Sequence, residues 1–142
     1  MGTRSTITAL LSDGTYRSVY CHWDGYIEEP GVGWMLQKHY SSQKLAEKVT
    51  SLGALSSLDK SCDPPPRSAA TKHIDGYSVA FFRDRGDDWQ DCLPGEGATP
   101  EEALTAVGRQ EYDYLWDGTR WQLLSDDPKD IIIFTANSGA PA

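Results

Sequence analysis

The chain has 142 residues, 24% of them charged and 39% hydrophobic, and a formal net charge of −8 at pH 7; that length suits one core without metal or disulfide staples, and that sign repels nucleic-acid phosphates. The longest apolar run, residues 131–134, is too short to span a bilayer, and the first residues lack the charged-then-apolar order of a signal peptide. Cys21, Cys62 and Cys92 are an odd number without C-x-x-C spacing, which argues against a disulfide framework and a structural zinc, so reduced thiols in a cytoplasmic protein are expected.

Two β-rich runs around Asp13-Gly14 predict a hairpin. A three-residue loop, Ser12-Asp13-Gly14, with Gly14 left-handed, places Ile7, Ala9 and Leu11 on one face with Val19, Cys21 and Trp23, the expected core face. Arg4, Thr6, Thr8, Tyr20 and His22 then share the other face, with Asp24 beyond. Residues 34–40 and 41–53 read as helices, the second with Ser41 or Ser42 as N-cap, Leu45, Val49 and Leu52 as apolar stripe, and Gly53 at the C-terminus.

Residues 59–76, with three consecutive prolines, read as a surface loop, and 77–83 as a central strand apolar on both faces. Residues 83–97 read as a charged, glycine-bearing loop. A helix follows from Thr99 as N-cap with Pro100 at its first position. A second hairpin turns at Asp117-Gly118, residues 130–136 form a final strand or short helix, and 137–142 a frayed tail. The expected fold is α+β in one domain over 1–142, an antiparallel sheet of about five strands built on the two hairpins with two or three helices on one face.

Residues 19–26, VYCHWDGY, concentrate groups with chemistry. A nucleophile–base–orienter set of Cys21, His22 and Asp24 is disfavoured, because strand neighbours point to opposite faces and a core thiol is protonated and inert. His22, His39, His73 and Asp24 include no pair of histidines at i, i+4 spacing, so no metal and no cofactor are expected. Arg4, Tyr20, His22, Asp24 and Tyr26, with Arg83, Arg85 and Trp89, supply guanidinium forks and stacking faces that suit a nucleotide-like ligand.

Charge is uneven along the chain. Residues 84–142 hold 13 Asp and Glu against 4 Lys and Arg, a net of −9, while residues 1–83 hold 8 against 9, a net of +1. Asp84, Asp87, Asp88, Asp91, Glu101, Glu102, Asp113 and Asp117 are therefore the candidates for contact with a basic protein surface. Direct DNA or RNA binding and membrane insertion are not expected. An edge at 131–135 offers a route to a homodimer.

TRSTI at 3–7, YCHWDGY at 20–26, HY at 39–40, LGALSSL at 52–58 and GYSVAFFRDRG at 76–86 together resemble a family of small, mostly uncharacterised proteins encoded by bacteriophages and prophages. The resemblance covers about residues 3–86. It implies a phage accessory protein in the cytoplasm of a bacterial host and brings no activity with it. In that setting the acidic half suits a counter-defence inhibitor, anti-CRISPR-like, that presents phosphate-like charge to a host defence complex. A sponge for a nucleotide-like immune signal is the alternative, and a Cys/His- or metal-dependent enzyme ranks last.

Overall fold

The first hairpin forms in the expected register. The computed structural model describes residues 3–64 and 75–124 and the backbone of 131–133. In it, β1 (Ser5–Leu10) and β2 (Tyr16–Cys21) pair with Ile7 opposite Val19 and Ser5 opposite Cys21. Leu11 N–H donates to the Thr15 carbonyl at 2.8 Å, and Gly14 closes the turn at φ +88°, a conformation that costs glycine least. The Asp13 carboxylate accepts the Thr15 N–H at 2.9 Å and its hydroxyl at 2.6 Å. Ile7, Ala9, Val19 and Cys21 are fully buried as a result. Trp23 departs from the expected core face: β2 ends at Cys21, Asp24 turns the chain at φ +58°, and the indole is 43% exposed.

Helices α1 (Val32–His39) and α2 (Gln43–Thr50) follow. Ser42 is the N-cap of α2, its hydroxyl accepting the Leu45 N–H at 3.2 Å. Val32, Met35 and Leu36 of α1 and Ala46 and Val49 of α2 join Ile7, Ala9, Val19 and Cys21 in one core cluster.

The stretch expected as a central strand departs more. β3 (Leu55–Ser57) pairs with β4 (Val79–Ala80), which ends the strand order, and the chain then turns into a short helix α3 (Phe81–Arg85). The cause is local: the Asp84 carboxylate reaches back to accept the Ala80 N–H at 2.8 Å, and Gly86 stops the helix at φ +76°. A 3-10 turn at Trp89–Asp91 leads to β5 (Gly95–Gly97).

Helix α4 (Pro100–Val107) starts as expected, with the Thr99 hydroxyl accepting the Glu102 N–H at 3.1 Å. β6 (Tyr112–Trp116) and β7 (Trp121–Leu124) form the second hairpin, and β8 (Ile131–Ile133) pairs with β7. Most of the expected loop at 59–76 and all of the expected tail at 137–142 lie outside the described residues.

Among the described residues, eight strands form one sheet in the order β4-β3-β2-β1-β6-β7-β8, with β5 added to β2. The expectation of a wholly antiparallel sheet of about five strands is corrected on both counts: β1 pairs with β6 and β2 with β3 in parallel. The parallel pair arises because the second hairpin docks on the free edge of β1 after the helical crossover. The helices also occupy both faces. α4 contacts β1, β2 and β5, and its buried Ala103 and Leu104 lie outside the cluster that α1 and α2 share. It therefore covers the face where Thr6, Thr8 and Ser18 are fully buried.

Candidate functional site

The candidate acidic residues separate by burial. Asp84 and Asp113 are only 8% and 2% exposed. Asp84 accepts from Arg83 Nε at 2.9 Å as well as from Ala80. Asp113 accepts from Thr6 Oγ1 at 2.6 Å, Gln110 N–H at 3.0 Å and Arg109 Nε at 3.0 Å. Both are internal acceptors and are removed from the expected contact surface. Asp117 is half-buried and organises its own turn, accepting the Thr119 and Arg120 N–H groups, each at 2.8 Å. Asp87, Asp88, Asp91, Glu101 and Glu102 are exposed.

Glu96 joins them, a residue the sequence reading did not single out. It is exposed on β5, where Arg17 is its register partner. The Arg17 guanidinium instead turns into α2, donating to the Glu47 carbonyl at 2.6 Å and to Thr50 Oγ1 at 3.2 Å. β5 and α4 are bound closely: the Ala98 N–H donates to Glu102 Oε2 at 3.0 Å, and a Cβ on Gly97 would press on Glu102 Cβ. Residues 86–108 contain six carboxylates and no Lys or Arg. One segment thus carries six exposed carboxylates, with no cation of its own, over the 3-10 turn, β5 and the first turn of α4.

An open cavity of about 370 Å³ lies under this segment, lined by Arg17, Ser51, Trp89, Leu93, Pro94 and Glu96. Trp89 lies so close to Gly53 that a Cβ there would come within 2.8 Å of the ring. The Ala54 N–H donates to the Cys92 carbonyl at 2.9 Å, fixing the loop to the end of α2.

The ligand-type residues fall into two groups. Arg4 Nε donates to the Tyr20 hydroxyl at 3.0 Å, and that hydroxyl lies 2.7 Å from His22 Nδ1. The His22 ring meets the Trp23 ring edge-on at 4.8 Å. The Tyr26 hydroxyl donates to Asp24 Oδ1 at 3.4 Å, and the Asp24 charge, after burial, helps to raise the Tyr26 phenol above its ordinary range. Arg83 belongs elsewhere, held by Asp84 and by the Cys62 carbonyl at 2.6 Å, while Arg85 sits 5.5 Å over the Phe81 ring. Trp89 packs with Phe82 at 5.0 Å. No hydrogen bond or ring contact joins the two groups among the described residues.

Cys21 is fully buried, and burial pushes its thiol up to about 12. Among the described residues no three His, Cys, Asp or Glu side chains converge as a metal site, and no helix is long and apolar enough to cross a membrane. No family model, curated protein or solved structure matches the chain.

Proposed function

We propose that this protein is a binding inhibitor that presents the surface of residues 87–102 to a basic host protein, in the manner of a phage counter-defence factor. The observation that carries the reading is the run of exposed Asp87, Asp88, Asp91, Glu96, Glu101 and Glu102 with no cation between residues 86 and 108. Uncompensated charge of one sign steers association with an opposite surface and rejects phosphate backbones. The host-defence setting, in the bacterial cytoplasm, comes from the resemblance of residues 3–86 to phage-carried proteins. A plaque assay tests it, comparing defence-carrying and defence-free hosts that express the protein. Expression restores plating of a sensitive phage only on the defended host, and Asp87→Lys with Asp91→Lys abolishes the restoration; equal rescue by the charge-reversed protein contradicts the reading.

A nucleotide-binding alternative is favoured by one observation, the Arg4–Tyr20–His22 chain, in which the Arg4 guanidinium uses only Nε among the described contacts. Its outer guanidinium nitrogens suit a phosphate. Nucleotide-induced thermal stabilisation that disappears in Arg4→Ala supports it; no stabilisation by cyclic or linear nucleotides leaves the inhibitor reading alone.

A further inference from the structure

Phe82 and Leu93 are 46% and 50% exposed, two of the three large apolar side chains left outside among the described residues. Single exposed apolar residues are ordinary. These two are joined through Trp89, whose ring lies 5.0 Å from that of Phe82 and which lines the cavity with Leu93 and Pro94. Asp87, Asp88, Asp91 and Glu96 lie along the same segment, all exposed. An aromatic and aliphatic centre within a charged rim is the arrangement of a protein-binding hot spot.

The two cations nearby keep their charge but form no ion pair with that rim among the described residues. Arg17, on the cavity wall, donates to Glu47 and Thr50, and Arg85 lies over Phe81. The platform is also preformed, because Trp89 is seated on Gly53 and the Cys92 carbonyl is bonded to Ala54. A preformed platform avoids part of the ordering cost of binding.

We propose that the Phe82–Trp89–Leu93 surface is the docking point for a basic protein segment, one bulky apolar side chain entering the cavity while flanking Lys or Arg residues meet Asp87, Asp88, Asp91 and Glu96. The proposal rests on the acidic-surface reading and adds an apolar anchor to it. Charge selects the occupant: nucleic acid and anionic membranes are repelled, and a second copy in a two-fold contact brings the same negative rim.

The test uses synthetic peptides carrying one Leu or Phe between pairs of Lys or Arg, with matched panels in which Gln replaces the cations or Gly the apolar residue. Fluorescence anisotropy measures binding to the full chain, and amide chemical-shift mapping locates it. At least one apolar-basic peptide binds, shifts the amides of 82, 89 and 93, and weakens about tenfold or more in each matched control and in Phe82→Ser or Leu93→Ser. Both substitutions are at exposed positions, and unchanged thermal midpoints verify the fold. Equal binding by the glycine-matched basic peptides, or no loss in either variant, overturns the anchor and leaves the acidic surface standing. Absence of binding by every basic peptide overturns both.

Discussion

The Thr6 hydroxyl donates to Asp113 Oδ1 at 2.6 Å across the parallel pair of β1 and β6, joining the N-terminal hairpin to the C-terminal one. Asp113 is 2% exposed and also receives the Gln110 N–H and Arg109 Nε. Asp113→Ala strands these donors and is expected to cost about 2–4 kcal/mol, whereas Thr6→Val leaves the carboxylate two partners and costs about 1 kcal/mol. Urea unfolding measures both, and equal losses would contradict the assignment of Asp113 as the hub.

Gly53 is the structural key to the loop that carries Trp89. It sits at φ +75°, and a Cβ there would press on the Cys92 carbonyl oxygen and come within 2.8 Å of the Trp89 ring. Gly53→Ala combines left-handed strain with a backbone clash and is expected to destabilise by about 2 kcal/mol or more. Calorimetry reads the loss, and a neutral result would mean that the loop gives way without cost.

The three cysteines are buried, and burial raises each thiol, Cys21 to about 12. Iodoacetamide at about pH 8 is therefore expected to leave Cys21 unmodified in the folded protein and to label it on unfolding. Rapid labelling of native Cys21, followed by mass spectrometry of its peptide, would restore the nucleophile that the geometry rejects.

Acid lowers stability through identifiable groups. Glu47 lies below its ordinary 4.5 because the hydroxyl of Ser12 and then the amide of Gln43 donate to it, and Asp13 lies below 3.8 because Thr15 donates its hydroxyl and N–H. These carboxylates contribute fully above those values and lose their contribution as pH falls through them toward the folded values. His39 is lowered from 6.5 by burial and then by Lys60 and Lys38, so the unfolded chain takes up its proton first and stability falls below pH 6.5. Relative to wild type, Glu47→Gln is expected to flatten the thermal midpoint below about pH 4.5 and His39→Gln to flatten it between pH 6.5 and the folded-state value. Parallel curves would contradict the assignment.

Legibility in the sequence followed the range of the interactions. The Ser12–Gly14 turn, the Ser42 and Thr99 caps and the Asp117 hairpin were readable because a few adjacent residues determine them. β3, β4 and β5 span three, two and three residues, too few for alternation to register. The β1–β6 pairing is invisible locally because 107 residues separate Thr6 from Asp113. The same holds for the site. Regional charge pointed to the carboxylates, but only tertiary structure withdrew Asp84 and Asp113, added Glu96, and brought Phe82 and Leu93 together through Trp89.

The most direct test of the acidic-surface account is native mass spectrometry of the protein isolated gently from a defence-carrying bacterial host, at low and raised salt. A complex with a basic host protein is expected, one that dissociates as salt rises and fails to form with Asp87→Lys and Asp91→Lys. A free chain carrying a nucleotide-sized adduct, or a host complex indifferent to salt and to charge reversal, would contradict it.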